Sequence, residues 1–332
     1  MAGNKALTLS IRIAGKMDKS LTAVVNGAQS QITSLSKGLS KAGTIGLASM
    51  GAIATGAVAT IARCTKEAEQ FANGMGDVVK YVSGLANAKG RAYNQLARDA
   101  NGDLLNGKTY AQNYAEISKA IRDLSTQIPY TQAELQQLAA SAGQSGKSIT
   151  DLYKYDSRGQ LSGFLKDVAM MGTAWDIEAS QAGDWAAKWE VALGKNHDQI
   201  MTLADQINYL GANNATTAAE IGDVVNRVAS FGQVAGMQAE DTAALATSLL
   251  AMGVEGAKAA SSISRMYTNL NKGASATKAQ KEMWESMGMT ATGVAKGMQK
   301  DATGTLVSVF NAVKQLPDEK RVAALSTLFG QW

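Results

Sequence analysis

Cysteine and histidine each occur once in the 332 residues, as Cys64 and His197, and proline occurs only twice. A lone cysteine excludes an intrachain disulfide, and a lone imidazole excludes any metal site built on two histidines. Secreted disulfide scaffolds and ordinary structural zinc sites are therefore ruled out. Aromatic residues make up 6% of the chain, charged residues 18% and hydrophobic residues 45%. So little charge beside so much apolar content is wrong for an intrinsically disordered chain. Met1 to Ser10 carries one lysine and no apolar core of the kind a signal peptide needs, which fits synthesis in a reducing cytoplasm. Few prolines leave helices almost unbroken, so the 33 glycines become the main helix stops.

What charge there is sits unevenly. In the first fifty residues Lys5, Arg12, Lys16, Lys19, Lys37 and Lys41 face only Asp18, a net of +5, whereas the rest of the chain is close to neutral. A basic amino-terminal arm on a neutral body points to an acidic partner surface or to nearby nucleic acid, with a simple lysine-solvated helix as the plain alternative.

The pattern along the chain predicts an all-α protein: a long amino-terminal helical arm followed by a compact multi-helix domain, with a short edge strand at the N-terminus. That strand is read from Leu7, Leu9, Ile11 and Ile13, which alternate with polar residues over a segment 1–16. Residues 17–64 read as a self-associating helix. Leu21, Val25, Ala28, Ile32, Leu35 and Leu39 follow the heptad spacing of a coiled-coil seam, which predicts a homo-oligomer or docking on one partner helix. The seam runs into twenty-one uncharged residues, Ala42 to Ala62, long enough as a helix to match a bilayer core. Their alanine and glycine content gives little transfer energy, and Ala48, Ala52 and Gly56 form a small-residue stripe suited to close helix packing in an oligomer. A membrane-active or pore-forming role through residues 42–62 is the competing reading.

Residues 65–109 read as an irregular helical linker. Phe71, Val78, Val79 and Val82 suggest a helix interrupted by Gly74, Gly76, Gly84 and Gly90, and the pairs Asn101-Gly102 and Asn106-Gly107 signal turns. Residues 110–332 read as the compact helical domain. Tyr114, Ile117, Ile121, Leu124 and Ile128 mark one amphipathic helix stopping at Pro129. Thr131 with Glu134, and Thr217 with Glu220, have capping-box spacing and each open a helix. Asp241 or Glu240 starts the helix of Leu245 and Leu249, with Gly253 as its left-handed terminator. Further helices pass through Ile263, Met266 and Leu270, then Leu306, Val309, Phe310 and Val313. The last starts at Pro317-Asp318 and ends at Gly330.

Several segments imitate chemical motifs. Gly143 to Ser148 contains the Gly-Lys-Ser of a phosphate loop, but it has Ser141 where the loop needs glycine, and it follows a helix rather than a strand. Asp99, Asn101 and Asp103 start like a calcium loop that then lacks its glycine and its closing glutamate. Asn214-Ala215-Thr216 fits a glycosylation sequon that a cytosolic chain would not use. His197 lies in a polar, loop-like stretch as a surface side chain, Met283, Met287 and Met289 read as adaptable packing, and Trp175, Trp185 and Trp189 read as anchors of a helical core, or alternatively as a binding surface. No catalytic, cofactor-binding or metal-binding residue is assigned.

From residue 65 onward the order of elements resembles the phage tail tape-measure protein family, most specifically after Ala204. Asp205 to Leu210 followed by Asn213 to Thr216 is similar to the family's helix that stops before a small-polar turn. Val228 to Gly236, then Thr242 to Gly253-Val254, look like its paired helices. Ala259 to Ile263 falls where the family has Ala-Gly-Thr-Ala-Leu, Leu270 where it closes that helix with leucine, and Leu328-Phe329-Gly330 matches its Leu-Phe-Gly. Ala260 stands in place of the usual glycine and Ser264 in place of the usual arginine.

The resemblance implies a structural virion protein of the tail lumen or tip, not an enzyme. It implies a chain made in the host cytoplasm that sets tail length during assembly and leaves ahead of the DNA at genome ejection. Implied partners are copies of itself, tail tube, tail tip or baseplate proteins, tail assembly chaperones and, transiently, a host membrane; DNA would lie nearby without sequence-specific binding. Because the glycine stops imply a folded body, the extended ruler is expected to lie beyond this chain.

Overall fold

A computed structural model describes residues 66–83, 85, 95–98 and 102–329. The edge strand read at Leu7 to Ile13, the seam from Leu21 to Leu39, and the stripe of Ala48, Ala52 and Gly56 lie outside the described residues. Within them the chain is helical apart from two short antiparallel two-stranded ribbons. The contacts divide the chain between Lys166 and Asp167, well past the turn signals near residue 109.

In the first unit, helix α1 (66–81) buries Met75 and Val78, and Val82 just beyond it is buried too. The sequence suggested an interrupted helix here, yet α1 runs unbroken through Gly74 and Gly76. Gly74 is where the buried Gln136 side chain seats, its amide donating to the Phe71 carbonyl at 2.9 Å. The stretch expected to be a linker also holds a hairpin, β1 (Leu96–Arg98) with β2 (Leu104–Thr109).

Thr109 then caps α2 (Tyr110–Ser125), which buries Ile117, Ala120, Ile121 and Leu124. Thr131 caps α3 (Gln132–Gln144): its N–H donates to Glu134 Oε2 at 2.7 Å, and the Glu134 N–H donates back to its hydroxyl at 3.3 Å. α3 carries the second close approach to the α1 segment, since a Cβ on Gly143 would stand 2.8 Å from the Tyr81 carbonyl carbon and 2.6 Å from Val82 Cγ2. The short α4 (Ile149–Leu152) and a second ribbon, β3 (Lys154–Tyr155) with β4 (Leu161–Ser162), follow.

Helix α5 (Phe164–Trp175) spans the division, and Asp167 onward belongs to the second unit. There α6 (Ala179–Leu193), α7 (His197–Asn213), α9 (Ala239–Ala251) and α10 (Gly256–Leu270) all pack on α8 (Ala218–Val234). The reason is the α8 sequence, whose Ile221, Val224, Val225 and Val228 recur at helical spacing and are all buried. Helices α11 (Lys278–Ser286), α12 (Ala291–Lys300), α13 (Ala302–Gln315) and α14 (Asp318–Phe329) complete the unit, with α12 and α14 against α10. A buried hydroxyl pair, Thr242 to Tyr267 at 2.9 Å, ties α9 to α10, and burial pushes the Tyr267 phenol up to about 12. Helix α9 begins one residue before Glu240, which with Asp241 lies in its first turn.

Candidate functional site

Between α5 and α7 the second unit carries a groove of about 390 Å³. From α5 it receives Asp167, Met170, Met171 and Ala174, positions that fall on one helical face. From α7 it receives Asp198, Met201, Thr202, Asp205 and Asn208, again one face. The walls are thus methionine and alanine, edged by three carboxylates, with no lysine or arginine in the lining. Met170 is 51% exposed. So apolar a side chain held open to water, beside acidic ones, suits contact with another protein better than chemistry.

The floor is rigid. Trp175 lines the groove from below and its ring centroid lies 6.3 Å from that of Trp185 and 6.1 Å from that of Trp189, while the latter two rings stack. All three are buried, so the core reading of these tryptophans describes them better than the surface one. Trp189 Nε1 donates to Asn226 Oδ1 at 3.2 Å, satisfying the one polar atom of a buried indole. Gly222 of α8 makes room for the cluster, because a Cβ there would stand 2.5 Å from Trp175 and 2.9 Å from Trp185.

At one end of the groove a charged node fixes its geometry. His197 is the first residue of α7, not a solvated loop side chain as the sequence suggested, because Asn196 and Gln199 form a capping box that starts the helix there. Its Nε2 lies 3.0 Å from Asp167 of α5 and its Nδ1 3.3 Å from Glu190 of α6. Burial alone lowers the imidazole pKa, but the two carboxylates outweigh it and raise it to about 9. The ring is therefore an imidazolium at neutral pH, both nitrogens donating, and it joins three helices. With both nitrogens committed to carboxylates it has no lone pair to act as a base.

The other residues singled out from the sequence take structural places. The glycine-lysine-serine segment is a helix end: Gly146 is left-handed at φ +91° and Ser148 is the N-cap residue before α4. Gly253 ends α9 with φ +83°, followed by the half-buried Val254; Ala259, Ile263, Leu270 and Phe329 are buried, and Gly330 lies outside the described residues. Among the described residues no group of three histidine, cysteine, aspartate or glutamate side chains could hold a metal, and no helix is long and apolar enough to cross a membrane. The segment 42–62 lies outside them.

What the described residues show is a helical body with a methionine-lined groove edged by carboxylates. Residues 118–330 match the phage-related minor tail protein family, and the chain belongs to that family of phage tail components. It is also similar to the probable tape measure protein of Halomonas phage phiHAP-1, with 28% identity over 240 residues, which is 65% of this chain. The chain spans 28% of the length of that relative. No solved structure matches it.

Proposed function

We propose that this chain is the folded amino-terminal and core portion of a tail tape measure protein, a non-enzymatic structural component held in the tail lumen or at its tip. The observation that carries the proposal is the extent of the family match, which runs from α2 to the end of α14 and so includes nearly the whole helical body. The relative named a probable tape measure protein supports the specific role over other minor tail functions. In this reading the amino-terminal arm anchors the protein to its own copies through Leu21, Val25, Ala28, Ile32, Leu35 and Leu39 and packs closely through Ala48, Ala52 and Gly56, while the body meets tail tube, tip or baseplate proteins with assembly chaperones. The buried Ala259, Ile263, Leu270 and Phe329 hold the family's helix arrangement, while an extended ruler elsewhere in the full protein sets tail length and departs ahead of the DNA.

Electron cryo-microscopy of the intact particle tests the proposal. Density for the second unit, fitted by its α6 to α10 packing, is expected inside the tail or at its tip in several copies. Density on the outer tail surface or on the head overturns it.

A further inference from the structure

We propose that the second unit binds a second copy of itself head to tail, the acidic α5–α7 groove of one copy receiving the α13 face of the next that carries Val307, Phe310 and Lys314. The inference rests on the reading above in that several copies assemble together, and it adds a contact made by the folded body. Charge within this unit is divided along the chain. From Asp167 to Ala251, through α5 to α9, eleven carboxylates stand against Lys188, Lys195 and Arg227. From Gly256 to Phe329, through α10 to α14, ten lysines and arginines stand against five carboxylates. The division is spatial as well: α11 to α14 pack mainly on one another and on α10, and α10 joins them to α8 and α9. Local pairing leaves both signs in excess. The three cations of the acidic group are already held by Asp184, Glu240 and Asp223, and among the described residues Asp176, Glu178, Asp198 and Asp205 make no ion pair. Lys296, Lys300 and Lys314 of the basic group make none either.

The two faces match in more than charge. The α7 face of the groove, with Asp198, Met201 and Asp205, also carries Tyr209, which is 68% exposed, and α5 adds the exposed Met170. On α13, Leu306, Val309 and Val313 take the core side, while Val307, Phe310 and Lys314 have the spacing of one outer face. Val307 is 53% and Phe310 40% exposed, so apolar surface and a cation point the same way, as a groove both apolar and acidic requires. Methionine is unbranched and polarizable and repacks around such entering side chains. Other basic stretches lack the combination. In segment 17–41 the helical spacing puts Lys19, Lys37 and Lys41 opposite the Leu21 to Leu39 face. Around Arg265 to Lys281 the large apolar residues Met266, Tyr267 and Leu270 are buried. Between Lys80 and Arg98, Lys80 lies over the Tyr81 ring and Arg98 donates to the Gly102 carbonyl. A copy that offers both matching faces pairs unlike surfaces with its like, a heterologous contact that repeats from copy to copy.

The test is charge reversal in the full chain, read by sedimentation velocity across a concentration series, with helicity and melting temperature confirming the fold. Asp198→Lys with Asp205→Lys is expected to weaken self-association about tenfold and to remove much of its salt dependence. Val307→Glu with Lys314→Glu is expected to weaken it similarly, and both pairs of changes in one chain to restore it. Asp198 lies in the first turn of α7 and Lys314 in the last turn of α13, where reversal opposes the helix dipole, so Asp205→Lys alone and Val307→Glu alone, both exposed and in mid-helix, provide second variants. Mixing the groove-reversed chain with the α13-reversed chain should regain the association that each lacks alone. Association that ignores both sets of changes, that falls with the groove changes alone, or that is not restored by combining them overturns the proposal. Oligomers indifferent to both faces would leave the reading of an assembling tail component standing, whereas a wild-type chain monomeric at every concentration would overturn self-association and this contact together.

Discussion

His197 shows how far one side chain's role depends on its neighbours. Its folded pKa is raised above the ordinary histidine value to about 9 by Asp167 and Glu190. A proton held more tightly in the folded state stabilises that state. The contribution is complete below the unfolded pKa, about 6.5, and is lost as pH rises through about 9. Replacing the ring with glutamine keeps some hydrogen bonding but removes the charge, and should cost about 1–3 kcal/mol at pH 6. Urea denaturation from pH 6 to 10 checks both points: the wild-type chain should lose stability progressively between about pH 6.5 and 9, and His197→Gln should show a flatter profile there. Equal slopes would mean that the node does not hold its proton. This role was invisible in the sequence, because Gly194-Lys195-Asn196 resembles a loop and the partners lie thirty and seven residues away.

At the scale of elements, the sequence was most legible where a local pattern decides the outcome. The helix of Ile117, Ile121 and Leu124 and the caps at Thr131 and Thr217 formed as their spacing implied, since periodicity and capping require no knowledge of distant residues. The caps at Thr109, Asn196 and Thr277 passed unread because glutamine, not glutamate, completes each box. Glycine was misread in α1 for a related reason: its helix cost is local, whereas its benefit at Gly74 and Gly143 is a close contact between segments about sixty residues apart. The two kinds of glycine should separate on substitution. Gly76 of α1 has open space around it, so Gly76→Ala should stabilise by about 0.5–1 kcal/mol. A Cβ at Gly143 meets the backbone at Tyr81 and Val82, which cannot move cheaply, so Gly143→Ala should destabilise by about 1–3 kcal/mol. Chemical denaturation midpoints for the pair decide it, and a stabilising Gly143→Ala would show that α1 does not lie against α3 as described.

For the whole molecule, the fold class could be read from composition and periodicity, but the groove could not, because its two walls come from residues 167–174 and 198–208 and exist only once α5 and α7 are packed. The folding of the body also bears on how a tail protein measures length. The second unit runs from Asp167 to Trp332. A continuous helix rises about 1.5 Å per residue, so that stretch drawn out as one helix would reach about 250 Å. Folded as a compact unit, the same residues would have a radius of gyration of about 15 Å. Length per residue is thus given up for a packed core, and the second unit should contribute almost nothing to a ruler while contributing binding surfaces to assembly. In the phage that carries this chain, an in-frame deletion of the second unit should therefore abolish tails or leave the few that form at normal length. Particles that assemble efficiently with tails shortened by about 250 Å, measured by negative-stain electron microscopy, would show that this segment is paid out as an extended helix and that its packed core is not the assembled form.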